Sequence, residues 1–170
     1  MEIVLDILTN GIIIASLSAW LIAQVLKLII YALMEKKIRL ERLFGDGGMP
    51  SAHTATVISL VVMCGWLCGF NSAIFAVSII VAIIVMHDAT GVRRETGKQT
   101  STIKQIADII NGMFADPDQE VRAERLKDFV GHTPLQVFFG SIVGIVVAIL
   151  YIVISGVPYC ANITEIFPLP

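Results

Sequence analysis

Four long apolar stretches constrain this chain more than any other feature. They lie at roughly 11–33, 54–70, 72–88 and 135–156. A membrane-spanning helix needs about 20 apolar residues, within a range of about 17–25, and each stretch meets or nearly meets that length. Charged residues make up only 15% of the chain, against about 25% in soluble domains. Because so little polar sequence remains to cover four such helices, we predict an all-α, polytopic membrane helical bundle with about four transmembrane spans, forming one domain over 1–170.

The distribution of basic residues predicts how this bundle is oriented. Eleven of the 12 lysines and arginines lie in the segments 34–50 and 89–132, which four spans place on the same side of the membrane. Positive residues favour the cytoplasmic side. We therefore predict a multi-pass protein of the cell (inner) membrane, with both termini outside and the segment 89–132 in the cytoplasm.

The segment 89–132 contains apolar residues at helical spacing. In TIKQIADIINGMF, residues 102–114, isoleucines and other apolar residues recur every three or four positions, which is typical of an amphipathic helix. A second such piece covers roughly 119–130. We expect one or two amphipathic helices on the cytoplasmic side, lying against the membrane surface or covering the bundle.

Three histidines are predicted to meet at one end of the bundle. His53 lies at the start of the second span, His87 and Asp88 end the third, and His132 precedes the fourth. Because successive spans cross in opposite directions, all three histidines reach the cytoplasmic face. They come from separate parts of the chain, so this face is the candidate functional site.

The residues beside His53 and His132 are typical of helix starts. In GGMPSAHT, Ser51 is a good N-cap, and the two glycines permit tight backbone in front of it. In GHTPLQ, Thr133 can cap a helix and Pro134 fits its first position. The N–H groups of a first helical turn have no partner within the helix and bind anions well. Both histidines are therefore predicted to lie beside an anion site.

Cationic residues that suit a phosphate accompany these helix starts. Arg93 and Arg94 follow Asp88 in the polar stretch DATGVRRETGKQ, and an arginine fork matches phosphate oxygens. Lys27 lies deep in the first predicted span, where a charge is costly and by default indicates a function.

Three motifs together carry a family resemblance. PSAH at 50–53, HDATGVRRETGKQ at 87–99 and GHTPLQVFFGSIVG at 131–144 resemble the divergent, mostly bacterial branch of the type-2 phosphatidic acid phosphatase and vanadium haloperoxidase superfamily. The resemblance runs from Lys27 to about Gly144 and implies a phosphatase-like membrane protein.

The resemblance also implies roles for individual residues. His132 would be the nucleophile that takes the phosphoryl group, and His53 the general acid that protonates the leaving oxygen. Gln136 stands where the family has the acid that orients the nucleophile. Phosphate binding is the role implied for five residues: Ser51, Ala52, Lys27, Arg93 and Arg94. Asp88 would orient a histidine or hold an arginine.

The chain departs from the parent superfamily pattern, K-x6-R-P, P-S-G-H and S-R-x5-H-x3-D, at identifiable positions. Ala52 replaces the glycine of the second motif, and Met34 stands where the first motif has arginine. Gln136 replaces the final aspartate, and no Ser-Arg pair precedes His132 at the usual spacing. A glutamine carbonyl can hold a ring N–H, but it lacks the charge that stabilises an imidazolium.

Three functions remain open from the sequence. The first is hydrolysis of a lipid- or prenyl-linked phosphate through a phosphohistidine intermediate, which needs no metal and no cofactor. The second is a catalytically degenerate protein that binds a phosphate headgroup or acts as a membrane scaffold. The third is a small transporter component with Lys27 and Asp88 as pathway charges. The expected partner is a membrane lipid or lipid-linked phosphate and not a nucleic acid, and the spacing of Gly140 and Gly144 suggests a homodimer.

Overall fold

The structure is a computed structural model that describes residues 2–36, 48–113 and 132–160. All of the regular secondary structure in these ranges is α-helical, as the sequence predicts. The helices are α1 (Glu2–Thr9), α2 (Gly11–Glu35), α3 (Ala52–Cys68), α4 (Ala73–Thr90), α5 (Val92–Met113) and α6 (Pro134–Ser155).

The lengths of these helices suit a membrane. Three helical runs, Gly11–Glu35, Ala73–Met113 and Pro134–Ser155, are long and apolar enough to cross a bilayer. The shorter apolar helix α3 has 17 residues, which corresponds to about 25 Å at 1.5 Å per residue and is slightly less than a hydrocarbon core of about 30 Å. The helices α2, α3, α4 and α6 begin and end within about two residues of the predicted spans.

Helix α3 is the centre of the bundle and packs against α2, α4 and α6. The interior is lined mostly by small side chains, whereas large apolar side chains face outward. Examples of the interior residues are Ala15, Ala19, Ala23, Ala55 and Ala148, all fully buried. Helices in a membrane approach closely through small residues because lipid already surrounds their large apolar side chains. The described chain is thus a helical membrane bundle.

The two glycines of α6 face α3 within the same chain. A Cβ atom added at Gly140 would lie 2.5 Å from the Ser51 carbonyl oxygen, and one added at Gly144 would lie 2.5 Å from that of Ala55. Only glycine permits this approach. Because their small faces are occupied by α3, these glycines do not support the homodimer, which stays a prediction.

A short turn joins α3 and α4 into a helical hairpin. Gly69 adopts a positive φ of 85° at the end of α3, a conformation that glycine tolerates best. Ser72 closes the turn, because its backbone N–H and its hydroxyl both donate to the Gly69 carbonyl oxygen. The Ser72 hydroxyl also accepts from the Phe75 N–H and caps α4.

The structure differs from the predictions in two helices. Helix α1 was not predicted, and Asn10 separates it from α2 because its side-chain oxygen accepts the N–H groups of Ile12 and Ile13. Helix α5 starts at Val92, ahead of the apolar spacing at 102–114 that predicts it, so the polar stretch after Asp88 is also helical. Arginine, glutamate and lysine favour helices even without an apolar pattern, and the Glu95–Lys98 ion pair at 2.6 Å reinforces α5. The second amphipathic piece, 119–130, lies outside the described residues.

Candidate functional site

The start of α3 is a buried helix N-terminus with a serine N-cap. Ser51 is its N-cap, and the Ser51 hydroxyl oxygen accepts hydrogen bonds from the Thr54 N–H at 3.4 Å and the Thr54 hydroxyl at 3.0 Å. Ser51, Ala52 and Thr54 are almost completely buried. The next residue along from Ala52 is His53, which is exposed. The first turn of α3 therefore places the exposed His53 at the edge of a buried polar corner, which is the buried start of α3 around Ser51 and Thr54.

Lys27 of α2 packs against the chain just before this corner. Gly48 has a φ of +93°, and a Cβ atom added there would meet the Lys27 Cγ and Cδ atoms at 3.2 Å. Lys27 is only 6% exposed. The aliphatic stem of this buried lysine thus lies against the backbone three residues before the α3 N-cap.

The start of α6 is joined directly to the start of α3. Thr133 caps α6, and its hydroxyl accepts the Gln136 N–H, while the Gln136 side chain accepts the Thr133 N–H at 3.1 Å. This reciprocal pair is a capping box. The Ser51 N–H donates to the Gln136 carbonyl oxygen at 3.0 Å. Two helix N-termini, each with positive partial charge, therefore lie side by side.

His132 is held at two points between these elements. Its backbone N–H donates to the Ala89 carbonyl oxygen at 2.9 Å, which connects it to the end of α4. Its Nδ1 atom lies 3.2 Å from the Gln136 Oε1 atom, and the residue is only 3% exposed. The backbone and the ring are thus both fixed.

The hydrogen bonds of Gln136 define the tautomer of neutral His132. The atom that contacts the His132 Nδ1 also accepts the Thr133 backbone N–H, so it is the amide oxygen. An amide oxygen only accepts hydrogen bonds. The His132 Nδ1 atom must therefore carry the hydrogen, and the lone pair of the neutral ring is on Nε2.

The rings of His53 and His132 lie next to one another in an edge-on arrangement. Their centroids are 6.1 Å apart and their planes are inclined by 61°. The two residues are 79 positions apart in the chain, and the bundle brings them together because α3 and α6 begin at the same end. Since His53 is exposed and His132 is buried, the pair has an open side at His53 and a closed side at His132.

The remaining residues predicted for the site are placed less centrally. Asp88 is half-buried and directly precedes Ala89, the residue that anchors His132. His87 is exposed in the last turn of α4. Arg93 and Arg94 lie on the first turn of α5, and the Arg94 side chain is exposed. Both arginines thus belong to a helix that directly follows α4.

The described ranges contain no cluster of three or more histidine, cysteine, aspartate or glutamate side chains suited to a metal ion. The chemistry available at this end of the bundle is that of two imidazoles, a buried lysine and helix N–H groups. Such a set can bind an oxyanion, attack it and move a proton.

Two buried polar residues near this corner were not predicted. Thr54 holds the Ser51 hydroxyl, and Gln24 lies one helical turn before Lys27 on the buried face of α2. Within the part of the chain that the structure describes, the Gln24 Oε1 atom has no hydrogen-bond partner. Both are polar residues within apolar stretches, and this pattern, which is costly in a membrane, is the signal that could have identified them.

A helical membrane bundle with paired histidines beside two helix N-termini is the class of protein that the fold and the site define. Comparison with known families gives the family directly: a family model described as the divergent PAP2 family matches residues 8–147. The chain belongs to this family.

One curated relative extends the comparison over nearly the whole molecule. The "uncharacterized membrane protein YuiD" of Bacillus subtilis (strain 168) is 36% identical over 152 residues, which cover 86% of this chain and 96% of that protein. No solved structure matches the chain. The comparisons therefore agree with a multi-pass, phosphatase-related membrane protein.

Proposed function

We propose that this protein is a membrane phosphatase that hydrolyses a lipid- or prenyl-linked phosphate through a phosphohistidine intermediate. The observation that supports this best is the 6.1 Å separation of the His53 and His132 rings beside two joined helix N-termini. In this proposal the site faces the cytoplasm, both termini lie outside the cell membrane, and the substrate reaches the site from the bilayer.

The phosphate group binds at the start of α3. The backbone N–H groups of its first turn, next to Ser51 and Ala52, supply hydrogen bonds and a positive partial charge. Lys27 adds a full charge from the buried side, and Arg93 and Arg94 add charge from the start of α5. A charge-assisted contact of this kind is worth about 1.5–3 kcal/mol.

In the first chemical step, His132 attacks and His53 donates a proton. The His132 Nε2 lone pair forms a bond to phosphorus as the bond from phosphorus to the leaving oxygen breaks. His53, in its protonated form, transfers its proton to that oxygen. Attack requires the His132 Nε2 atom to lie about 3–3.5 Å from phosphorus, and proton donation requires a His53 ring nitrogen about 2.6–3.2 Å from the leaving oxygen. Because the two ring centroids are 6.1 Å apart, both rings can serve one phosphoryl group that lies between them.

In the second step, a water molecule cleaves the phosphohistidine. His53 is now neutral and accepts a proton from the water as the oxygen bonds to phosphorus and the bond to His132 breaks. Gln136 keeps the His132 ring in its orientation through both steps, since its oxygen accepts the Nδ1 hydrogen. Asp88 supports the closed side of the site, either by orienting a histidine or by retaining an arginine.

The second candidate is a protein that binds a phosphate headgroup without turnover. Gln136 favours it, because a neutral amide does not stabilise the imidazolium that forms at His132 as a carboxylate does. The missing arginine at position 34, where the sequence has methionine, also favours it. Both candidates share the anion site and differ only in the chemical step.

Release of inorganic phosphate by the purified protein distinguishes the two candidates. We expect release from short-chain phosphatidic acid and from prenyl diphosphates, and loss of that release in His132→Ala. The matched control is His87→Ala, which removes an exposed histidine at the same end of the bundle. Substrate binding with no release from the wild-type protein would support the binding function, and equal release from both variants would refute the proposed role of His132.

A further inference from the structure

The end of the bundle opposite the site carries a short segment that folds back onto α3. Residues 157–160, here called the C-terminal strap, follow α6 and its C-cap at Gly156. The Trp66 indole N–H donates to the Val157 carbonyl oxygen at 3.0 Å, and the Cys160 N–H donates to the Trp66 carbonyl oxygen at 3.0 Å. Two hydrogen bonds to one residue thus fix both ends of the strap on the last turns of α3.

Aromatic rings hold the strap between these hydrogen bonds. The Tyr159 ring packs against Trp66 with centroids 5.1 Å apart and lies 6.3 Å from the Phe70 ring. Phe70 in turn packs edge to face against Phe75 at the start of α4. Tryptophan and tyrosine favour the membrane–water interface, so the strap lies where that interface is expected.

The docked strap brings a cysteine to the last turn of α3. Cys160 is attached by its backbone to Trp66, two residues before Cys68, and the Cys68 and Cys160 side chains lie close enough to interact electrostatically. Both are half-buried and free, whereas Cys64 is only 2% exposed. A disulfide joins residues whose Cα atoms lie about 4.4–6.8 Å apart, and the hydrogen bond from the Cys160 N–H to the Trp66 carbonyl oxygen brings the Cys160 backbone to the last turns of α3, where Cys68 lies.

We propose that Cys68 and Cys160 form a disulfide that attaches the C-terminal strap covalently to α3. A thiolate of one cysteine attacks a small-molecule disulfide such as oxidised glutathione, and the second thiolate then displaces the bound glutathione. The two cysteines lose two protons and two electrons, and the glutathione disulfide is reduced to two thiols. This part of the proposal rests on the orientation given above, which places the strap on the oxidising side of the membrane.

Thiol alkylation of the purified full-length protein tests the geometry. After incubation with oxidised glutathione, we expect Cys68 and Cys160 to lose reactivity together and to appear as one linked peptide by mass spectrometry. Cys64→Ala should form the same link, and Cys160→Ser should leave Cys68 without a protein partner. A protein in which Cys68 and Cys160 both stay alkylatable, or in which Cys64 is the partner of Cys160, overturns the proposal.

Alkylation in intact cells tests the compartment. We expect the linked peptide before any oxidant is added, and its disappearance when cells are treated with a membrane-impermeant reductant. A link that forms with oxidised glutathione but is absent from cells overturns the placement of the strap on the oxidising side. None of these readouts involves phosphate, so a failure here is distinguishable from a failure of the proposed phosphatase activity.

Discussion

Replacing Gly140 with alanine would push apart the two helix starts that carry the histidines. The new Cβ atom would lie 2.5 Å from the Ser51 carbonyl oxygen and 3.0 Å from the Thr54 Cβ atom. Ordinary contacts begin near 3.4 Å, so the helices must separate by roughly 1 Å at this level. Neither obstacle is the end of a flexible side chain, because one is backbone and the other is the Cβ atom of a buried threonine.

The expected cost has two parts of opposite sign. Overpacking of this kind costs about 1–3 kcal/mol, while alanine gains up to about 1 kcal/mol over glycine in a helix. Gly112→Ala on α5 isolates the second part, because a Cβ atom there meets no atom of the described residues within 4 Å. We therefore expect Gly140→Ala to be less stable than Gly112→Ala by about 1–3 kcal/mol, measured as a lower melting temperature in detergent.

The effect on activity should exceed the effect on stability. A displacement of about 1 Å at a reacting group can reduce the rate about 100-fold, and Gly140 lies beside the N-cap residue of the helix that carries His53. Gly144→Ala makes an equally close contact, 2.5 Å from the Ala55 oxygen, but one turn further from the site. We expect it to lose similar stability and less phosphatase activity, and a Gly140→Ala protein as stable and as active as Gly112→Ala would refute the packing argument.

Further substitutions test three individual residues of the site. Gln136→Leu removes the acceptor of the His132 Nδ1 hydrogen and should lower the rate of phosphate release by about 100-fold or more. Gln136→Glu keeps both acceptor contacts and should stay within about tenfold of the wild-type rate. If steady-state kinetics showed the two variants to be equally impaired, the role of Gln136 would be purely structural. Lys27→Met keeps the packed stem but removes the charge, and should weaken inorganic phosphate binding by about 10–100-fold in calorimetry; unchanged affinity would exclude Lys27 from the anion site. His53→Ala should slow release from a poor leaving group such as a glycerolipid by about 10²–10⁴-fold and affect an aryl phosphate much less, and an equal loss for both substrates would argue against His53 as the general acid.

The sequence predicts the helices and their caps well because these depend on local chemistry. Apolar stretches of membrane length define α2, α3, α4 and α6, and the small polar residues in front of α3 and α6 indicate their starts. Ser51 and Thr133 are the N-caps that the motifs predict. The approach of these two helix starts also follows from topology, since spans that alternate in direction bring every second helix start to the same side.

The contacts that depend on distant parts of the chain could not be predicted in this way. The strap residue Val157 accepts its hydrogen bond from Trp66, 91 positions earlier, and no periodicity in either segment indicates it. The three cysteines accordingly gave no disulfide pattern in the sequence. The start of α5 was missed for another reason: it lacks the apolar spacing that identified the other helices.

The position of a bound phosphate analogue tests the central claim most directly. We expect an experimentally determined structure of the protein with vanadate to show one anion at the start of α3, within hydrogen-bond distance of both His53 and His132. The His132 Nε2 atom should face the metal centre of the oxyanion, and Gln136 should stay on Nδ1. An anion bound elsewhere while phosphate release is inhibited, or a His132 ring turned away from His53 in that complex, would contradict the account.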